Sequence, residues 1–218
     1  MAGLPPQFAL GTNKLSACTG AAVASFRYYK NKYVDMLICL PSIAAALLGS
    51  AIGSALVLLV DERFLRWMLL IVLPVTTFYV FTKKNLDNAV RPLPRVKTIV
   101  YSLIISFFIG AYDGFSGPGT GTFLILLYNG IAKIDARIAS GNAKLVNLAS
   151  NLSAMVLFLY NGRVLVPLGL CAAVFNMLGA YLGSGLVIQK GTKIIRYTIL
   201  VVLTLIFIKL LWDTIQGS

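Results

Sequence analysis

Residues 113–122 read Asp113-Gly114-Phe115-Ser116-Gly117-Pro118-Gly119-Thr120-Gly121-Thr122, four glycines, a proline and a carboxylate set between the apolar stretches Thr98–Ala111 and Phe123–Ala132. Lipid offers no water to satisfy backbone N–H and C=O groups freed by such a break. At membrane depth it persists only where it is buried in protein or lines an aqueous cavity. Broken helices of this kind form the substrate sites of secondary transporters. The stretch therefore reads as the tip of an ion or anion site.

The flanks support that setting. The chain is 58% hydrophobic and 12% charged, with a mean hydropathy of +0.85. That composition belongs to all-α, polytopic helical membrane proteins. Several apolar runs exceed the roughly 18 residues that mark a spanning helix, which excludes a large soluble core. Met1–Thr12 has neither the basic start nor the apolar centre of a signal peptide. The 19 Lys and Arg against seven Asp and Glu give a net charge of +12. In a membrane protein this excess orients cytoplasmic loops, so no nucleic-acid partner is expected. Cys18, Cys39 and Cys171 stand singly in apolar segments and suggest neither disulfides nor a metal site. With no histidine in the chain and no nucleophile–base spacing, no enzyme, metal or cofactor is expected.

A shift of 130 positions aligns the chain with itself from Ala9 to about Phe78 without a gap. Gly11, Lys14, Asn31, Gly49, Gly53, Ser54 and Arg66 match Gly141, Lys144, Asn161, Gly179, Gly183, Ser184 and Arg196. Glycine, lysine, asparagine and arginine matches in one register are hard to obtain from apolar composition alone. An internal duplication, common among transporters, accounts for them. Each copy reads as three spans, Asn13–Tyr29, Met36–Val60 and Phe64–Phe81 in the first, Gly141–Tyr160, Val164–Ile188 and Ile194–Leu211 in the second.

The glycine break lies within residues 98–132. Unbroken, that segment would be about 50 Å long, against a hydrocarbon core of about 30 Å. Each arm, at about 14 residues or fewer, would be too short to cross. A re-entrant hairpin fits best, with a single kinked, tilted helix as the alternative. Loop charges favour the hairpin. Lys83, Lys84, Arg91, Arg95 and Lys97 make the 83–97 loop cytoplasmic. Counting outward from it, Arg27–Lys32, Lys133 with Arg137, and Lys190–Arg196 all fall inside, whereas Asp61 and Glu62 accompany the external Arg63 and Arg66. The two copies are then inverted. The expected organisation is a first repeat at 1–82, a basic cytoplasmic linker at 83–97, and a second repeat at 98–218 carrying the hairpin 98–132. Met1 aligns with Ile131, so the first copy is expected to lack its amino-terminal hairpin, as a mis-called start or a truncation would leave it; beside a secondary transporter, this leaves the alternative of a truncated, transport-inactive membrane protein or one half of an assembly.

The pattern Gly110-x-x-Asp113-Gly114-Phe115-x-Gly117-Pro118-Gly119-Thr120-Gly121-x-Phe123 resembles the TauE/SafE sulfite-exporter family of membrane transporters. The runs Gly11-Thr12-Asn13-Lys14-Leu15 and Lys144-Leu145-Val146-Asn147-x-x-Ser150-Asn151 resemble it too, so the likeness covers nearly the whole chain. It implies a multi-pass protein of the cell's inner (plasma) membrane that exports sulfite, sulfonates or related organic anions. The expected partners are thus the lipid bilayer and a small anionic substrate. A homo-oligomer and a monomer are both compatible with the sequence.

Within this frame the residues suggest roles. Unpaired amides at Gly117, Gly119, Thr120, Gly121 and Thr122 open the helix that starts near Phe123, and the two threonines are expected to cap it; such a terminus attracts anions. Close packing explains Gly49, Gly53, Gly179 and Gly183, but it leaves Pro118 beside an acid unexplained. Lys144, Asn147 and Asn151 fall on one helix face and offer a cation with two amides, Ser150 lying close by. Lys14 repeats Lys144 and joins the candidate substrate-binding set, although a lysine near a chain end also snorkels. Asp113, the one acid inside an apolar segment, is the candidate proton carrier or a salt-bridge partner; a turn-capping role is the structural alternative.

The charge-derived topology makes a direct prediction. Cysteines introduced at Lys133 and Lys190 should react with a membrane-impermeant maleimide from the cytoplasmic side only. Labelling of position 190 from outside would overturn the inverted arrangement.

Overall fold

The computed structural model describes residues 4–61, 64 and 93–190, and within them every regular element is an α-helix. Six helices follow in chain order: α1 Pro6–Lys30, α2 Met36–Leu59, α3 Arg95–Phe115, α4 Thr120–Gly130, α5 Ala136–Tyr160 and α6 Val166–Lys190. The spans read at Phe64–Phe81 and Ile194–Leu211 lie outside the described residues, apart from Phe64. Among the described residues, α2, α3, α5 and α6 are long and apolar enough to cross a membrane. Their outer faces carry Leu48, Ile52 and Leu56 on α2, Phe108 on α3 and Phe175, Leu178 and Leu182 on α6, all exposed. So much bare apolar surface suits lipid and would aggregate in water.

α1 is 25 residues long, or about 37 Å, yet it is less apolar than the span read there. Its Gln7, Thr12, Lys14, Ser16 and Ser25 are all buried in the protein. Hydropathy averages around the helix, so an inward polar face dilutes the lipid-facing one.

The shift of 130 positions recurs in helix ends. α1 begins at Pro6 and ends at Lys30, and α5 begins at Ala136 and ends at Tyr160, each boundary displaced by 130. Both helices stop at an asparagine, Asn31 or Asn161, whose Nδ2 donates 2.8 Å to the carbonyl four residues back. Contacts between the copies exchange under the same shift. Thr12 Oγ1 accepts from Leu165 N at 3.0 Å, and Asn142 Oδ1 accepts from Asp35 N at 3.0 Å. Gly11 lies against the Arg163 carbonyl, and Gly141 against that of Tyr33. A two-fold relation produces this reciprocity, residue i meeting j and j meeting i. The start of each helix meets the end of the other, so α1 and α5 run antiparallel.

α2 and α3 run parallel with their backbones in close approach. A Cβ placed on Gly49 or Gly53 would strike the Phe107 or Ala111 carbonyl, and one on Gly110 or Gly114 would strike the backbone of Ala46 or Ser50. Two glycines of the break motif therefore serve packing. α3 is also longer than the arm read from sequence. It extends back through Val96 and Lys97 to Arg95, forward through Asp113 to Phe115, and reaches 21 residues. Basic residues at one end and an inward acid at the other did not stop it, and by length it can span. The arm-length argument for re-entrance thus holds only for α4, with 11 residues.

The buried core lies between α2, α3, α4 and α5, around Cys39, Ala46, Leu124, Tyr128, Ala143 and Val146. On α6 the repeat-related Gly179 and Gly183 meet nothing within 4 Å among the described residues. Gly53→Leu should therefore force α2 from α3 and cost about 1–3 kcal/mol or more. Gly183→Leu should stay within about 0.5 kcal/mol. Thermal unfolding of the two variants in one detergent tests the contrast; equal losses would contradict the packing described.

Candidate functional site

The break between α3 and α4 is a tight reversal. Ser116 N and Gly117 N both donate to the Tyr112 carbonyl, at 2.8 and 3.2 Å. Gly117 and Gly119 then take φ of +89° and +81° on either side of Pro118. A side chain at either place would be strained, which is why glycine stands there. Tyr112 Oη donates 2.6 Å to the Pro118 carbonyl, and its ring meets Phe123 edge-on at 5.7 Å. The aromatic pair holds the reversal from one side.

Asp113 holds it from the other. One carboxyl oxygen, Oδ1, lies 2.9 Å from Lys14 Nζ and accepts from Thr120 Oγ1 at 2.8 Å. Oδ2 accepts from Ser150 Oγ at 2.5 Å. Lys14 Nζ also donates to the Asp113 main-chain carbonyl. Both charged side chains are 2–3% exposed. The network continues to α2, where Ser50 Oγ donates 2.6 Å to the Ser150 carbonyl. Asp113 on α3 thus draws α1, α4 and α5 onto the break.

The structure brings the remaining sequence candidates together less evenly. Thr120 faces Asp113 and lies 2.7 Å from the Gly117 carbonyl, so its hydroxyl serves the tip. Neither Thr120 nor Thr122 caps α4: the N-cap is Gly119, without a side-chain cap hydrogen bond. Asn151 Nδ2 turns back on its own helix, donating 2.7 Å to the Asn147 carbonyl and also to Asn147 Oδ1. Gly117 lies on the Lys14 side, where an added Cβ would stand 3.1 Å from Lys14 Nζ.

Lys144 and Asn147 lie on the opposite side of the tip. A Cβ added at Gly121 would stand 3.9 Å from Lys144 Nζ and 3.7 Å from Asn147 Nδ2. Lys144 is half-buried, and its ammonium has no hydrogen bond or ion pair among the described residues. Asn147 Oδ1 is occupied by Asn151, which turns the Nδ2 group outward as a free donor among those residues. Of the first amides of α4, Thr120 N reaches the Gly117 carbonyl at 3.3 Å and Phe123 N that of Gly119 at 3.0 Å. Gly121 N and Thr122 N have no acceptor among the described residues. An ammonium and a carboxamide N–H thus stand beside Gly121, at a helix N-terminus where two amides have no acceptor among the described residues, and each of these groups is a donor. Such a set of donors can hold an anion.

Sequence reasoning left Ser150 as a neighbour and gave Ser50 no part. Neither residue carries a signal of its own, because a serine in a membrane helix is usually satisfied by its own backbone. Only the tertiary contact reveals them.

A family model described as sulfite exporter TauE/SafE matches residues 1–210. A Haemophilus influenzae protein named "Probable membrane transporter protein" is 33% identical over 214 residues, covering 98% of this chain and 83% of that one. "Probable membrane transporter protein YfcA" of Escherichia coli K12 is 35% identical over 213 residues, covering 98% and 79%. "Probable membrane transporter protein ORF9" of a Sinorhizobium species is 34% identical over 213 residues, covering 98% and 81%. No solved structure matches. A helical membrane protein whose sequence fits that family along nearly its full length, the chain belongs to the sulfite exporter TauE/SafE family of membrane transporters.

Proposed function

We propose that the protein is a secondary transporter of the inner membrane that exports small anions of the sulfite, sulfonate and related organic-anion class. One observation carries the reading: Lys144 Nζ and Asn147 Nδ2 stand beside Gly121, where the Gly121 and Thr122 amides have no acceptor among the described residues. An unpaired cation on a membrane-spanning helix is expensive and marks a path or a site. A bound anion supplies the missing counter-charge. Family membership supports transport, and the printed family description supplies the sulfite class.

In this reading Lys144, Asn147, Gly121 and Thr122 hold the substrate. Gly117, Gly119, Thr120 and Asn151 shape the tip. Lys14 lies with Asp113, so its contribution to affinity is indirect unless the tip moves. A proton taken up by Asp113 would release Lys14 and two hydroxyls together, which links any proton coupling to a rearrangement of the break. The antiparallel α1 and α5, with their exchangeable contacts, support two copies inserted in opposite orientation, residues 1–82 and 98–218, joined by the basic segment 83–97.

Lys144→Met removes the charge and keeps most of the stem volume. Loss of a charge-assisted contact of about 1.5–3 kcal/mol should raise the half-saturating anion concentration in proteoliposome flux by roughly ten- to a hundredfold while the folded yield holds. Lys14→Met should act differently. It strands a buried carboxylate at a cost of about 3–5 kcal/mol, so the yield of folded protein should fall first. Normal flux from the Lys144 variant would show the cluster to be structural.

A further inference from the structure

We infer that the site selects singly charged anions over doubly charged ones. The inference rests on the anion-transporter reading and names the substrate class within it. Three acidic or basic side chains from three helices meet the break: Lys14 of α1, Asp113 of α3 and Lys144 of α5, the last counted in the protonated form that a bound anion favours. Lys14 and Asp113 form a contact ion pair and cancel. Lys144 has no counter-charge among the described residues, so the three sum to one positive charge. The other polar groups described at the tip are neutral: Asn147, Thr120, Thr122, Ser150 and, through its carbonyl bond, Ser50. The nearby titratable groups, Cys18 on α1 and Tyr112 on α3, are a thiol and a phenol, uncharged near neutral pH in their ordinary state.

A monoanion brings this sum to zero. A dianion leaves one negative charge uncompensated beside Asp113, in surroundings built from apolar helices. On insertion scales an isolated charge at membrane depth corresponds to roughly a hundredfold in population. Water reaching the half-buried Lys144 reduces this, and a preference of roughly tenfold or more remains. The amide and carboxamide donors add hydrogen bonds for either ligand and do not change the count. Discrimination therefore comes from charge, with the Lys14–Asp113 pair as the feature that keeps the sum at one.

Methanesulfonate and sulfate are both tetrahedral about sulfur and carry one and two charges, so they isolate the variable. Their fluxes would be compared in proteoliposomes holding the full chain, at one neutral pH and matched ionic strength. The unmutated protein should favour methanesulfonate by roughly tenfold or more. Asn147→Lys adds a cation to the space without touching the Asp113 network, and should move the ratio toward sulfate by a similar factor. Asp113→Asn alone frees Lys14 and should move it the same way. Combining Asp113→Asn with Lys14→Met restores the sum and should restore the original ratio, whatever happens to absolute flux. Equal fluxes of the two anions in the unmutated protein, or an unchanged ratio in Asn147→Lys, would overturn charge selection while leaving anion transport standing. Failure of the unmutated protein to bind or move either anion would overturn the transporter reading itself, and this inference with it.

Discussion

The Asp113–Lys14 ion pair is the contact on which the interior depends. Two full charges lie 2.9 Å apart with 2–3% of their surface exposed, where neither is tolerable alone. Desolvating a pair costs more than it returns unless further hydrogen bonds satisfy both groups. Here the carboxylate also accepts from Thr120 and Ser150, and the ammonium also reaches the Asp113 carbonyl. Lys14 and the two hydroxyls on the carboxylate belong to α1, α4 and α5, so satisfying one charge fixes three helices around the end of a fourth. The reversal at Gly117 and Gly119 is then held where its freed amides point inward.

Two lysines stand 130 residues apart in matching positions, and the fold treats them differently. Lys14 and Lys144 occupy the same place in α1 and α5, and both approach the break, one at Gly117 and the other at Gly121. Of the two, only Lys14 finds a carboxylate among the described residues. The tip therefore has a closed side, rich in mutual hydrogen bonds, and an open side with donors and no acceptors. One sequence motif repeated in a near-symmetric frame produces both a structural lock and a candidate binding surface, because a single broken hairpin lies between them in the described structure.

Much of this was legible before any coordinates. The span ends read at Tyr29 and Tyr160 fall within one residue of the ends of α1 and α5, whose starts lie earlier than read, and the glycine-proline run lies at the reversal. Glycine periodicity pointed to Gly49 and Gly53 as packing positions, which they are. What sequence could not supply was partnership. Gly110 and Gly114 look like the rest of the motif, yet they pack against Ala46 and Ser50. Thr120 and Thr122 look like caps, and Thr120 instead turns its hydroxyl on Asp113. The polar residues of α1 lower its hydropathy because they face protein, a distinction that a count along the chain cannot make. Whether Lys144 was free or paired depended on which side of the tip Asp113 chose.

The glycine contact between α2 and α3 has a mechanical consequence. Carbonyls of one helix lie against Cα atoms of the other at four successive places, Gly49, Gly53, Gly110 and Gly114. Interlocked backbones leave little room for rolling or sliding, since the first few tenths of an ångström meet main chain instead of a side chain that can swing aside. The two helices behave as one lever with the Asp113 end at its tip. Any alternation between inward- and outward-facing forms must therefore carry them together.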